Sequence, residues 1–131
     1  MRLLLDTSIL LWSLAEEHKL NPHARELLTS NDSALYLSSA TGWEIAIKYA
    51  LGTLRLHAEP RVLLPEAVRR LGMHPLDISL MHAIEAGRLP QHHRDPFDRM
   101  LIAQAQTEQL VLLTADRVFE RYNVDQVFCG R

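Results

Sequence analysis

The sequence predicts an α/β fold in which helices cover a parallel sheet on both faces. Short unbroken aliphatic runs, such as Leu3–Leu5 and Val111–Leu113, are typical of strands buried on both faces. Segments with helical spacing of apolar residues alternate with these runs, which favours βαβ units. At 131 residues the chain is long enough for one core, and we expect residues 1–131 to form a single domain.

Two strands and four helices are predicted in the first half of the chain. Asn21 is an N-cap candidate before a proline at the first helical position. Ser38 and Ser39 are further N-cap candidates, and Gly52 and Gly72 each end a helix. In order, the predicted elements are a strand at Arg2–Asp6, a helix at Thr7–Ala15, a helix from Pro22 to about Ser30, a strand at Ala34–Leu37, a helix at Ala40–Leu51 and a helix at Pro60–Leu71.

Three strands and three helices are predicted in the second half. Asp77 or Ser79 caps a helix that Gly87 stops, and Asp95 followed by proline opens the next helix. In order, the predicted elements are a short strand at Met73–Leu76, a helix that runs through Ala86, a helix from Pro96 to about Gln109, a strand at Leu110–Leu113, a short helix after Asp116 and a strand at Gln126–Phe128.

Composition narrows the functional class. The formal net charge of −2 argues against a broad basic surface for nucleic acid but leaves a nucleic-acid enzyme open. No apolar stretch is long enough to span a bilayer, and Asp6 interrupts the N-terminal apolar run, so a secretory signal is not expected. A single cysteine permits no internal disulfide, and we therefore expect a cytoplasmic protein without membrane association.

Two acidic residues stand at the ends of predicted strands. Asp6 follows the first aliphatic run, and Asp116 follows the run through Leu113. In open parallel sheets ligands bind at the carboxyl ends of the strands, so two such strands as neighbours bring their acids together. Each aspartate also suits a helix N-cap, and its position alone leaves both interpretations open.

Two further acids lie on predicted helices. Glu44 precedes Lys48 by one turn, which suits a surface ion pair, but it also borders the apolar stripe, where a carboxylate is partly desolvated. Asp98 suits the first turn of a helix capped by Asp95. It also shares a helical face with apolar residues that point toward the sheet, namely Leu101, Ile102 and Ala105.

Several desolvated carboxylates within a few ångströms cannot all stay ionised without a countercharge. Hard oxygen ligands without an accompanying cysteine indicate Mg²⁺ or Mn²⁺ rather than zinc. Because Mg²⁺ commonly binds some carboxylates together with substrate phosphates, the pattern predicts hydrolysis of a phosphodiester.

Four segments resemble, in order, the motifs of PIN-domain nucleases: Leu3–Ser8, Trp43–Lys48, Asp95–Ala105 and Leu113–Asp116. Within that family the chain is similar to VapC-type toxins of bacterial toxin-antitoxin modules, and the third segment is the most specific. The resemblance implies an α/β/α sandwich with a central parallel sheet and Mg²⁺- or Mn²⁺-dependent cleavage of RNA. It also implies a homodimer and a cognate antitoxin that joins the toxin in a hetero-oligomer.

The resemblance carries catalytic roles over to four carboxylates. Asp6 and Asp98 are implied metal ligands, and Asp116 is an implied ligand that more often acts through water. Glu44 is implied to orient the attacking water.

Neighbouring polar residues have smaller expected roles. Thr7 and Thr114 are expected to hold the pocket by hydrogen bonds. Arg94 and Arg99 are candidates for contact with a substrate phosphate, and a position in a solvated loop is the alternative for each. Asp95 is an additional acid near the pocket, and we favour a capping role for it.

The remaining chemically active residues are predicted to be structural. The adjacent His92 and His93 suggest a transition-metal site, but no further ligand at helical spacing joins them, so a solvated loop is favoured. Trp12 and Trp43 are expected in the core or at a partner interface, and Cys129 is expected to be inert.

Other classes fit less well. A phospho-accepting receiver domain needs a lysine on a late strand, and no lysine follows Lys48. A haloacid-dehalogenase-like phosphatase needs a second aspartate two residues after Asp6, where this chain has Ser8. A PIN-like module that binds RNA or protein with weak or no catalysis remains open.

Overall fold

Five strands and six α-helices alternate along the chain, and the computed structural model describes all residues from 1 to 131. The strands are β1 (Arg2–Leu5), β2 (Ala34–Ser38), β3 (His74–Leu76), β4 (Val111–Thr114) and β5 (Gln126–Phe128). The α-helices are α1 (Thr7–Ala15), α2 (Pro22–Thr29), α3 (Ser39–Ala50), α4 (Pro60–Leu71), α5 (Leu80–Arg88) and α6 (Pro96–Glu108). Short 3₁₀ helices lie at Glu17–Lys19 and Arg117–Arg121.

All strands pair in parallel in the order β3-β2-β1-β4-β5. The chain builds outward from β1 to β2 and β3 and then returns to place β4 on the other side of β1. The order of strands therefore reverses between β1 and β4, where Leu5 pairs with Leu113. A reversal of this kind opens a crevice at the carboxyl ends of the two strands.

The core has two halves, one on each face of the sheet. Leu3 and Leu5 pack with Ile9 of α1 on one face, whereas Leu4 packs with Leu101 of α6 on the other. All five side chains are fully buried. The aliphatic run in β1 is unbroken because successive side chains enter opposite layers that are both dry. The predicted α/β sandwich with a central parallel sheet is confirmed.

Three elements have the predicted bounds, namely Thr7–Ala15, Pro60–Leu71 and Gln126–Phe128, and the bounds of the other elements differ from the predictions by one or two residues. The prediction that Gly87 stops a helix is wrong, because α5 continues to Arg88. The following Leu89 has extended backbone, which is the conformation favoured before Pro90. The helix α6 ends one residue earlier than predicted, because Gln109 adopts the left-handed conformation with φ of 57°. No helix is both long and apolar enough to cross a bilayer.

Candidate active site

The candidate site lies at the crevice between β1 and β4. Asp6 directly follows β1, and its backbone N–H donates to the carbonyl of Leu113 on β4 at 3.0 Å. Asp116 follows β4 after one intervening residue. The two strands that end in acids are therefore neighbours, and their acids lie at the same edge of the sheet.

Each of three aspartates at the site also caps a helix. Asp6 Oδ1 accepts from Ile9 N–H at 2.9 Å, and Asp116 Oδ1 accepts from Val118 N–H at 3.0 Å. The Oδ1 atom of Asp95 accepts the N–H groups of the first turn of α6, which confirms its predicted capping role. Capping and a second role are compatible, because capping engages only one oxygen of each carboxylate.

A cleft of about 340 Å³ collects the acids from four parts of the chain. Asp6 comes from β1, Glu44 from α3, Asp98 from α6 and Asp116 from the segment after β4. The lining is mostly polar, and its other members are Thr7, Ser8, Leu11, Lys48, Thr53, Leu54 and Asp95. Residues more than 100 positions apart in sequence thus line one cavity.

Glu44 is a buried carboxylate with a partner on each oxygen. The hydroxyl of Thr7 donates to Oε1 at 2.5 Å, and Lys48 Nζ donates to Oε2 at 2.6 Å. The Glu44 side chain is 5% exposed whereas that of Lys48 is 49% exposed, so the ion pair reaches from the cleft to solvent. The sequence offers two interpretations of Glu44, an ion pair with Lys48 or a desolvated carboxylate, and the structure shows both features.

Asp98 is joined to a loop residue. The Nε2 atom of His93 lies 2.7 Å from Asp98 Oδ2, and both side chains are about one-fifth exposed. One ligand atom each from His93, Asp98 and Asp116 lie within 4.8 Å of one another. Thr114 contributes beside them, because its hydroxyl accepts from Asp116 N–H at 3.0 Å.

Burial and mutual repulsion perturb the acids. Burial raises the pKa of Asp6 from 3.8 to about 6; the Thr114 hydroxyl and the Ile9 N–H oppose the shift, while Asp98 and Glu44 add to it. Burial likewise raises the pKa of Asp98 to about 6, and the hydrogen bond from His93 opposes this shift. The pKa of Lys48 is raised, chiefly because it donates a hydrogen bond to Glu44. The cleft therefore holds more negative charge than its own cations neutralise.

This donor set fits a divalent cation that prefers oxygen. The cleft is lined by five carboxylates, with Asp95 as the fifth, and by no sulfur, and Cys129 is buried with a pKa that burial raises to about 12. A cation at this edge would offset the burial and the mutual repulsion that raise the pKa values of Asp6 and Asp98. Shifted carboxyls within a cleft are typical of functional sites.

The expectation that Arg99 contacts a substrate phosphate is corrected by its surroundings. Its guanidinium is buried and donates to four backbone carbonyls at 2.9 to 3.2 Å, those of Ala86, Leu89, Pro90 and His93. Arg99 therefore fastens the segment between α5 and α6 to the protein, and both of its terminal nitrogens are engaged by backbone carbonyls. Arg94, in contrast, is exposed.

Two other residues differ from the sequence expectations. Trp43 is 62% exposed, so of its two predicted placements the core is excluded and a partner interface stays a prediction; its ring meets Phe97 edge-on, with 5.3 Å between ring centroids. The sequence favours a solvated loop for His93, but its ring contacts the carboxylate of Asp98. The absence of a ligand at helical spacing was misleading for His93, because it lies on the loop before α6, where helical spacing does not apply.

Comparison with known proteins gives a family and several similar structures. A family model described as "PIN domain" matches residues 3–125. No curated protein matches the sequence.

Three solved structures illustrate the likeness of fold. VapBC2 from Rickettsia felis, bound to a DNA fragment from its promoter, has a TM-score of 0.74 at 17% identity, with 99% of this chain and 100% of that chain covered. DNA-bound VapBC from Salmonella typhimurium has a TM-score of 0.71 at 23% identity and 98% coverage of both chains. A toxin-antitoxin complex from Klebsiella pneumoniae has a TM-score of 0.60 at 20% identity and 88% coverage of both chains.

Proposed function

The chain belongs to the PIN domain family, and we propose that it is a metal-dependent endoribonuclease that acts as the toxin of a type II toxin-antitoxin pair. The observation that carries the proposal is the convergence of Asp6, Glu44, Asp98 and Asp116 in one cleft at the reversal of strand order. This arrangement supports phosphodiester hydrolysis, because a divalent cation held by these acids would bind a substrate phosphate and activate a water molecule.

Asp6 and Asp98 are the residues that would hold Mg²⁺ or Mn²⁺, with Asp116 contributing directly or through water. A bound divalent ion supplies Lewis-acid polarisation of the phosphodiester and lowers the pKa of a water molecule that attacks it. In Asp6 and in Asp116, Oδ1 accepts from a backbone N–H, and no backbone N–H engages Oδ2. The caps restrict rotation of both carboxylates before an ion arrives.

Glu44 is the proposed acceptor that orients the attacking water. Its two oxygens are fixed by Thr7 and Lys48, and a carboxylate oxygen that already accepts one hydrogen bond keeps a second lone pair. Lys48 places an opposite charge 2.6 Å from Oε2 of this buried carboxylate. The water would therefore meet a base of fixed orientation.

The RNA substrate is proposed from the resemblance to VapC-type toxins, and Arg94 is the proposed contact to its phosphates. Arg94 is exposed and immediately precedes the acidic cap of α6. An arginine at this position offers bidentate hydrogen bonds to a phosphate near the cleft. The low net charge of the chain requires such local contacts, because a diffuse basic field is absent.

An antitoxin partner is supported by the neighbouring Klebsiella structure, whose printed description is a toxin-antitoxin complex. This chain has a cavity of about 270 Å³ on the side of the sheet away from α6, lined by Leu20, Leu28 and Leu71 among others. An apolar side chain of an antitoxin segment would fit this cavity.

We also propose that the protein forms a homodimer, because helix α5 exposes two large apolar side chains. Leu80 is 77% exposed and Met81 is 54% exposed. The proposed location of this dimer is the cytoplasm.

The proposal is tested by incubating synthetic single-stranded RNA, and DNA of the same base sequence, with purified protein in Mg²⁺ or in EDTA. The wild type is expected to cut RNA only with the metal. Asp98→Asn should be inactive, whereas Asp32→Asn, which changes an exposed turn remote from the cleft, should match the wild type. Equal cutting of both nucleic acids would overturn the RNA assignment, and activity in Asp98→Asn would overturn the site.

A further inference from the structure

His93 is the residue of the cleft region whose placement the proposed reaction leaves unexplained. Its Nε2 atom lies 2.7 Å from Asp98 Oδ2. An ionised carboxylate only accepts hydrogen bonds, so the proton of this contact belongs to the imidazole, whether the ring is neutral or charged. His93 therefore donates from Nε2 to one selected oxygen of Asp98.

The position of His93 is fixed by contacts that do not involve Asp98. Its backbone N–H donates to the Tyr122 hydroxyl at 2.9 Å, and its carbonyl accepts from Arg99 at 3.2 Å. Its ring meets Phe119 edge-on, with 6.1 Å between centroids. The two peptide groups that flank the Cα atom of His93 are thus both held by hydrogen bonds. The ring therefore points at the carboxylate before any ion binds.

Tyr122 and Arg99 form the support of this loop. The hydroxyl of Tyr122 donates to the carbonyl of Pro90 at 2.8 Å while it accepts from His93. Arg99 binds the same carbonyl of Pro90 and is the neighbour of Asp98 on α6. The helix that carries the acid therefore also fixes the loop that carries its donor, so the two move as one unit.

On Asp98, the contact with His93 engages Oδ2 and leaves Oδ1 without a protein donor. Asp98 is only about one-fifth exposed, and without this donor its carboxylate would be free to rotate away from the neighbouring acids. A donor that holds one oxygen presents the other to the cleft in one orientation. Partners of this kind around a ligating carboxylate typically change metal affinity by about 10- to 100-fold.

We propose that His93 is a positioning residue that orients Asp98 for divalent-metal binding through its Nε2–H donation to Oδ2. This inference rests on the proposed metal-dependent function. It adds a loop residue, with Tyr122 and Arg99 behind it, to the four acids of the cleft. Direct ligation by His93 is the competing arrangement, because its nitrogen lies within 4.8 Å of the ligand oxygens of Asp98 and Asp116.

The experiment is a Mn²⁺ titration of the full chain, read by electron paramagnetic resonance of free Mn²⁺. His93→Ala should bind Mn²⁺ about 10- to 100-fold more weakly than the wild type. His93→Gln, whose amide nitrogen can replace Nε2 as a donor, should recover most of the affinity. His23→Ala is the matched control, since His23 is exposed on α2, and it should bind as the wild type does. Melting curves without metal check that each variant is folded.

Each outcome decides the proposal. Unchanged affinity in folded His93→Ala overturns it, and so does a loss in folded His93→Gln as large as that in His93→Ala. Pulsed resonance that shows ¹⁴N coupling of a nitrogen directly bound to Mn²⁺, lost in His93→Ala, overturns positioning in favour of ligation. A wild type that binds no Mn²⁺ and cuts no RNA refutes the proposed function itself, whereas binding and cutting by the wild type with an unaffected His93→Ala refutes only the role of His93.

Discussion

The hydroxyl of Thr7 donates a hydrogen bond of 2.5 Å to Oε1 of Glu44, and both side chains are buried. This contact joins the first residue of α1, directly after Asp6, to the middle of α3. Lys48 holds the other oxygen of the same carboxylate. Because Thr7 directly follows Asp6, its hydroxyl connects Glu44 to the segment that carries Asp6. The orientation of Glu44 depends on this hydrogen bond.

Replacing Thr7 with valine should lower both activity and stability. The variant keeps the shape of the side chain but removes a donor to a buried carboxylate, which costs about 1 to 3 kcal/mol. Urea unfolding and the RNA cleavage rate measure the two effects. Thr107→Val, on the exposed side of α6, is the control and should change neither. A fully active Thr7→Val would show that Glu44 needs no support from α1.

The stability of the metal-free protein should fall as pH rises from about 4 to about 6. Burial raises the folded-state pKa of Asp6 and of Asp98 from 3.8 to about 6, so the folded state binds more protons than the unfolded state in this window. Their stabilising contribution is complete below the unfolded pKa and is lost as pH passes the folded pKa, on the order of 3 kcal/mol per group.

Urea unfolding in EDTA across this pH range measures the effect. Other groups also titrate there, so the informative quantity is the difference between the wild type and Asp6→Asn, whose stability should depend less on pH. Mg²⁺ should stabilise the wild type more at pH 7.5 than at pH 5, because protonated carboxyls bind it weakly. A pH dependence that is identical in the two proteins would contradict the raised pKa of Asp6.

Asp6→Asn should make the metal-free protein more stable at pH 7.5. The substitution removes a buried charge that Asp98 and Glu44 repel, and the amide oxygen can still accept from Ile9 N–H. We expect the melting temperature in EDTA to rise by a few degrees, and the stabilisation by Mg²⁺ to be lost. A variant that melts below the wild type in EDTA would show that repulsion among the acids is small.

The two arginines near the site should separate stability from substrate binding. Arg99→Ala removes the donors for four carbonyls and should destabilise the fold by roughly 3 kcal/mol. Arg94→Ala should leave the melting temperature unchanged and raise KM for RNA, since Arg94 is exposed. Thermal melts and cleavage kinetics of both variants provide the test. A stable Arg99→Ala with a raised KM would restore the original assignment of Arg99 to a phosphate.

Much of the site was predictable because backbone periodicity sets its geometry. The meeting of Asp6 with Asp116 follows from two buried runs in a parallel sheet, and the inward face of Asp98 follows from helical spacing. The roles of His93 and Arg99 depend on an irregular loop, whose path no periodicity specifies. The sequence does not indicate the role of Arg99, because its partners are backbone carbonyls. Every residue type carries a backbone carbonyl, so no residue pattern identifies these partners.

Metal-dependent RNA cleavage at Asp6 is tested most directly by incubating pooled cellular RNA with the wild type and with Asp6→Asn, with Mg²⁺, with Mn²⁺ and with EDTA. We expect cutting by the wild type in either metal, and none by the wild type in EDTA or by Asp6→Asn under any condition. The variant also controls for contaminating ribonuclease. Equal cutting by both proteins, or cutting that EDTA leaves unchanged, would contradict a metal-dependent ribonuclease at Asp6. Metal binding by the wild type without any cleavage would favour a module that binds without cutting.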